Sequence, residues 1–174
     1  GTRIALYSGD YATYSAELET IMKLDRGYGE INDLLGLHAL YKKCEIAGET
    51  DTFGDFADGL YSRYRGETGA AAGLFETVAA DTSTVVAYYA AMHRAELSAE
   101  SGEIQTAVSW FHRAAAIAPG QTERATALIN AADTVYESED TSGTARDLYR
   151  EALRVAAGTP RESEIRRKLR MVME

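Results

Sequence analysis

The sequence predicts an all-α fold, a stack of about nine antiparallel helices. Three observations predict it: an amphipathic helical unit that recurs at nearly constant spacing, prolines that fall only after helices, and no stretch with the alternation and hairpin turns of strands. The unit is clearest from Gly102 to Pro119, where Ala107, Trp110, Phe111, Ala114, Ala115 and Ile117 share one apolar face between a glycine entry and a proline exit. A forward shift of 38 residues carries Ala107, Trp110, Phe111, Ala114, Ile117 and Ala118 onto Ala145, Leu148, Tyr149, Ala152, Val155 and Ala156. A backward shift of 36 lands Gly102-Glu103, Ala107, Trp110, Phe111, Ala114 and Ala115 on Gly66-Glu67, Ala71, Leu74, Phe75, Val78 and Ala79. A weaker copy lies 93 earlier, at Gly9, Leu18, Ile21, Met22 and Leu24. Recurrence at this period is the signature of a solenoid, whose single units cannot bury their own apolar faces.

The elements follow in order. The first helix covers about 10–25 and ends at the glycines of Gly27-Tyr28-Gly29. A second runs through 32–41, with Ile31, Leu34, Leu35, His38, Tyr41 and Ile46 on one face. It is the irregular member, because the spacing of 57 from Gly9 to Gly66 exceeds one repeat by about one helix. Gly48-Glu49-Thr50-Asp51 is a turn in which Thr50 or Asp51 caps the third helix, which carries Phe53, Phe56, Ala57, Leu60, Tyr61 and Tyr64. The fourth helix covers 70–80, and Asp81-Thr82-Ser83-Thr84 opens the fifth, which runs to Gly102. The sixth spans 103–118, the seventh starts at Pro119-Gly120-Gln121-Thr122, and the eighth covers 142–157. Gly158-Thr159-Pro160 breaks the chain before a ninth with the apolar stripe Ile165, Leu169 and Val172. We expect a single domain over 1–174: a half unit at 1–27, a connector helix at 28–48, helix pairs at 49–81, 82–119 and 120–159, and a cap at 160–174.

Composition narrows the function. At 174 residues with 45% hydrophobic and 26% charged content, the chain can bury a substantial core and is neither disordered nor membrane-spanning. No apolar run approaches the roughly 20 residues of a spanning helix. The net charge of −9 is concentrated in residues 1–100, where 8 Lys and Arg face 16 Asp and Glu, a balance that repels nucleic acid and anionic lipid. The exception is the tail, where Arg161, Arg166, Arg167, Lys168 and Arg170 outnumber Glu162 and Glu164 on a solvated helix face. The opening Gly1-Thr2-Arg3-Ile4-Ala5-Leu6-Tyr7 lacks a Met and enters at the end of a helix, as expected of an excised fragment. A lone Cys44 in a helical pattern makes no internal disulfide.

Signatures of chemistry are missing. His38, His93 and His112 include no pair at the three- or four-residue spacing of a helical metal site. No glycine-rich phosphate loop and no Gly-x-Ser-x-Gly elbow occurs, and carboxylates such as Glu17 with Glu19 or Glu137 with Glu139 point apart on a helix. We therefore expect no catalytic residues, no metal and no cofactor. Eleven tyrosines are the compositional oddity, and of Tyr61, Tyr64, Tyr88, Tyr89, Tyr136 and Tyr149 most should wedge between helix pairs as core.

Paired helices with a small residue, an aromatic four positions on and another small residue three further resemble the tetratricopeptide repeat family. Ala107, Phe111, Ala114 and Pro119 carry the resemblance in one unit, and Ala145, Tyr149 and Ala152 in the next. Gly59, Gly66, Ala71 and Phe75 form a looser earlier unit, and Ala95 with the run Ala132 to Tyr136 fills the small and aromatic slots of first helices. The family's tryptophan and leucine-glycine are absent from those first helices, and the spacings of 36 and 38 are not strictly regular. The stretch from Ala145 to Arg166 is also similar to the last repeat and cap of such proteins in bacterial cell envelopes.

The resemblance implies a right-handed α-α superhelix in which the first helix of each pair lines a concave groove. Carried over residue by residue, that groove comprises Phe53, Phe56, Leu60 and Arg63, then Tyr89, Met92 and Glu96, then Asn130, Thr134 and Glu137. It lacks the basic set with which a chaperone-tail-binding subgroup clamps a terminal carboxylate. The expected function is a non-enzymatic interaction or scaffold module holding a peptide segment or partner protein. The alternatives are a spacer or dimerisation part of a larger chain, or a helical enzyme or metal protein.

Overall fold

The computed structural model describes residues 5–6, 9–24, 29–138 and 143–173. They form nine helices and no strand: α1 Tyr11–Leu24, α2 Gly29–Ala47, α3 Thr50–Tyr64, α4 Thr68–Ala80, α5 Ala87–Glu100, α6 Ile104–Ile117, α7 Gln121–Glu137, α8 Thr144–Val155 and α9 Glu162–Met171. The chain is all-α, as the recurring helical pattern predicts. It divides into two compact units, residues 1–86 with α1 to α4 and residues 87–174 with α5 to α9.

Most of the recurring positions form the core. Ala71, Phe75, Val78 and Ala79 of α4, Ala107, Phe111, Ala114 and Ala115 of α6, and Ala145, Leu148, Tyr149 and Ala152 of α8 are all buried. Small residues let neighbouring helices approach and an aromatic fills the space between them, each such ring contributing roughly 1.5–3 kcal/mol by leaving water. Leu74, Trp110, Ile117, Ala118 and Val155 are recurring positions that stay only half-buried, and Trp110 is the largest of them. It is half-exposed, with the guanidiniums of Arg94 and Arg113 at 5.6 and 4.9 Å from its ring, because an indole flanked by cations gains from lying at the surface. The side chains of Leu18, Ile21, Met22 and Leu24, which carry the weakest copy, lie outside the described residues.

One turn is used four times. Gly9-Asp10, Gly48-Glu49, Gly66-Glu67 and Gly102-Glu103 each place the glycine at φ between 72 and 76°. At Gly66 the glycine N–H donates to the Arg63 carbonyl at 3.0 Å, the Glu67 N–H to Ser62 at 2.9 Å, and the Ala71 N–H returns to the Glu67 carbonyl at 3.0 Å. The same three bonds recur around Gly9, Gly48 and Gly102. A left-handed residue ends one helix by satisfying its last carbonyls while the acid behind it starts the next, and glycine alone adopts that φ without a steric penalty. The second helix, expected to be irregular, is thus joined to α3 by the turn that joins α3 to α4.

A second regularity concerns reach. The Val85 N–H donates to Glu49 Oε2 at 2.8 Å, the Tyr88 hydroxyl to the Glu123 carbonyl at 3.0 Å, Gln121 Nε2 to the Val155 carbonyl at 2.5 Å, and Lys168 Nζ to Asp133 Oδ2 at 2.6 Å. These bonds span 36, 35, 34 and 35 residues. The first, second and fourth link a helix or its entry to the helix two further on, while Gln121 and Val155 join the start of α7 to the end of α8; the first bond lies within residues 1–86 and the others within 87–174.

Several local expectations are corrected. Thr50 and Asp51 do not cap α3; Glu49 stands at that position without a side-chain cap bond, its carboxylate being committed to Val85. Asp81 does not open α5, which begins only at Ala87, because its carboxylate turns back on the Ser83 N–H and hydroxyl at 3.1 and 2.6 Å. Ile46 is not on the buried face of α2: it is 87% exposed, while Leu34, Leu40 and Cys44 are enclosed. Of the six tyrosines assigned mostly to the core, Tyr88 and Tyr149 are buried, Tyr89 is half-buried, and Tyr61, Tyr64 and Tyr136 are exposed. Gly27 and Tyr28, expected to end the first helix, lie outside the described residues.

Candidate functional site

In the first unit the residues assigned to the groove divide into two kinds. Phe53 and Phe56 are 0% and 1% exposed, so neither offers its ring to a partner. Phe53 meets Tyr11 and Tyr41 at centroid distances of 5.4 and 5.3 Å, and Phe56 meets Phe75 at 5.8 Å, in edge-on and tilted contacts that favour aromatic clusters. Leu60 and Arg63, one and two turns further on, stay half-exposed beside the exposed Tyr61 and Tyr64. Exposed positions run along α3 at Asp51, Asp55, Asp58, Tyr61 and Tyr64, and of the four residues assigned to the groove only the two nearer its C-terminal end keep appreciable exposure.

In the second unit Tyr89, Glu96, Asn130 and Thr134 are half-exposed and Glu137 is exposed, whereas Met92 is buried. Tyr89 stands edge-on to Tyr88 at 5.1 Å, and Tyr88 in turn donates to the Glu123 carbonyl, so α5 and α7 fix one another. Glu96 meets His93 Nδ1 at 3.1 Å, and the Thr134 hydroxyl donates to the Asn130 carbonyl at 2.8 Å. The expectation that Phe53, Phe56 and Met92 present side chains to a partner does not hold. Helical spacing alone cannot tell an apolar residue facing the groove from one facing the neighbouring helix.

Sequence reasoning missed the polar centre of this unit. Asp133 of α7 accepts from the Tyr149 hydroxyl of α8 and from Lys168 Nζ of α9, the latter at 2.7 and 2.6 Å to its two oxygens. Desolvation, reinforced by the Asp133 carboxylate, holds the Tyr149 phenol protonated far above its ordinary range. A cleft of about 180 Å³ lies beside this centre, bounded by Asp133, Tyr136, Glu137, Tyr149, Lys168 and Met171 among others. The available signals were a lone acid inside the small-residue run of α7 and a lysine 35 residues on, one repeat away.

Elsewhere the chemistry is quiet. His112 is exposed, and no group of three His, Cys, Asp or Glu side chains able to hold a metal occurs among the described residues. Cys44 is enclosed, and burial followed by the nearby Glu49 charge pushes its thiol up to about 11, which makes it unreactive near neutrality. Glu139 lies outside the described residues. Among those residues no helix is long and apolar enough to cross a membrane. Among the described residues the protein is all-helical, with long-range hydrogen bonds that join the entries of α3 and α5, α5 to α7, and α7 to α9. No family of known proteins, no curated protein and no solved structure matches this chain.

Proposed function

We propose that the chain is a non-enzymatic binding module, a divergent tetratricopeptide-like α-α superhelix that holds a peptide segment or partner protein. The observation that carries this reading is the set of three hydrogen bonds, Val85 to Glu49, Tyr88 to Glu123 and Lys168 to Asp133, which span 35 or 36 residues and each link one helix pair to the unit that follows it. Helices linked at a constant interval leave one side of each unit available, and a solenoid uses such a side for binding. Leu60 and Arg63 are the residues we assign to partner contact in the first unit, and Tyr89, Glu96, Asn130, Thr134 and Glu137 in the second. Half-exposed aromatics beside charges suit contact with an extended segment, and the acidic side chains favour a basic or neutral one over an acidic one.

Capture from source-cell lysate on immobilised chain tests this, with Tyr89→Ala and Glu96→Lys combined as the control surface. The parent should recover one or more proteins reproducibly, and the double variant, folded to the same helical content, should lose them. Recovery of nothing by the parent, or of the same proteins by both, would count against the module and its assigned face respectively.

A further inference from the structure

Within residues 87–174 the terminal helix is held differently from the others. Of its ten residues only Ile165 is buried, and its contact with α8 is slight beside those of α5 to α8 with one another. Its polar anchor is Lys168, whose side chain and that of Asp133 remain 23% and 28% exposed. A cleft open to solvent runs beside that ion pair, between α9 and the helices it rests on. A left-handed Gly158 at φ 78° and Pro160 precede it, so the joint to α8 is a short turn. The seat itself is acidic and aromatic: Asp133, Glu137, Tyr136 and Tyr149 line the cleft, to which α9 brings Arg167 and Lys168, while Arg166 pairs with Glu162 of its own helix.

We propose that the α7–α8 seat is a helix-binding site occupied by the chain's own terminal helix, and that a partner protein's basic amphipathic helix takes the place of α9. The resident helix displays the chemistry that the site accepts: an apolar side chain where Ile165 sits and, three positions on, a lysine donating to both oxygens of Asp133. Tyr149 keeps its own hydrogen bond to Asp133, so the carboxylate stays in place whichever lysine arrives. An isosteric apolar residue cannot replace that lysine, because removing it leaves a half-buried carboxylate without its cation. Opening of the seat rests on the binding-module reading above and adds a regulation to it: a partner must compete with a tethered ligand, whose effective concentration is high.

Amide hydrogen exchange of the intact, isotopically labelled chain tests this, with an unlabelled peptide of residues 160–174 as the competing helix. In the parent, α9 amides should exchange through an opening of their own, at least about a hundredfold faster than the buried part of α7. Lys168→Met should speed that opening by at least about tenfold and leave α5 to α7 unchanged. Should that variant not fold, 1 M salt on the parent should speed α9 exchange while α7 stays protected, because a half-exposed ion pair is screened. Added peptide should move the resident α9 resonances to unfolded positions, and a Lys168→Met peptide should need at least about tenfold more to do so. Exchange of α9 only with global unfolding, or no displacement at millimolar peptide, would overturn the proposal. So would accelerated α9 exchange that tracks concentration-dependent dimerisation, which assigns the seat to a second copy. Loss of partner capture with independent α9 opening intact would remove the groove reading alone.

Discussion

The ring of Phe75 lies against the bare Cα of Gly59: a Cβ added there would sit 2.7 Å from Cε1 and 2.9 Å from Cδ1. Phe75 is fully enclosed and also meets Phe56, so it has no room to retreat. Gly59→Ala gains about 1 kcal/mol of helix propensity and loses roughly 1–3 kcal/mol to overpacking. The clash should win, and the chemical-denaturation midpoint should fall. Gly73, in α4, is the control, with nothing within 4 Å of its added Cβ. Gly73→Ala should raise stability by up to about 1 kcal/mol. If the two substitutions shift the midpoint in the same direction, the close α3–α4 packing is wrong.

Asp133, Tyr149 and Lys168 should behave as one unit. Asp133→Asn takes the negative charge from a half-buried ammonium and should cost about 1.5–3 kcal/mol, the range of a hydrogen bond to a charged group. Tyr149→Phe removes one donor and leaves the ion pair, for about 1 kcal/mol. Because both act on the same carboxylate, the double variant should cost less than the two single losses added together. Strict additivity in urea denaturation would mean that the hydroxyl and carboxylate do not meet in solution.

Helix positions and most turns were legible because their causes are local. An apolar residue every three or four positions, a glycine after the last, and a proline beyond it act within one turn of chain, and α4, α6 and α8 begin within two residues of the predicted starts. What was not legible depends on facing surfaces. Phe53 and Phe56 sit on a helical stripe that suits a groove or a core equally, and only the arrival of Tyr11, Tyr41 and Phe75 decides for the core. Asp133 carries no local mark of its role, since its partners come from two later helices. Glycine followed by an acid occurs six times in the sequence, and nothing local separates the four that form the turn from Gly29-Glu30 and Gly54-Asp55, which lie in α2 and α3; Gly48-Glu49 also falls 18 residues before Gly66-Glu67, off the 36-residue period.

High pH should unfold the chain from within. The Cys44 thiol rises from an ordinary 9.0 to about 11 in the folded state, and the Tyr88 and Tyr149 phenols are also raised, chiefly by desolvation. A raised pKa means that the folded state holds its proton more tightly than the unfolded chain does. These groups therefore contribute their full stability below pH 9, and it declines as pH climbs, first through the window from 9 to 11 for Cys44 and then above 10 for the tyrosines. Urea midpoints should be level from about pH 7 to about 8.5 and fall from about pH 9 upward. In Cys44→Ala, whose absolute stability is lower, the decline should begin nearer about pH 10. A parent whose midpoint is unchanged at about pH 11 would show that these side chains reach water.

Phe111 offers the sharpest test of the repeat. It is 2% exposed on α6, with Ala107 and Ala114 enclosed beside it at helical spacings, and α6 packs against both α5 and α7. Replacing it with Ala empties a large site that two flanking alanines cannot fill, at a cost of about 3–5 kcal/mol. We expect the ring to fill the joint between α6 and α7, where Ala132 and Val135 are also buried, so in a linear array α7, α8 and α9 should open before α5. Native-state hydrogen exchange on Phe111→Ala should show amides from residue 121 onward losing protection more than those of α5. Should the variant melt within a degree or two of the parent with unchanged exchange in α7 to α9, the recurrence of Ala107, Phe111 and Ala114 would not mark a packing register.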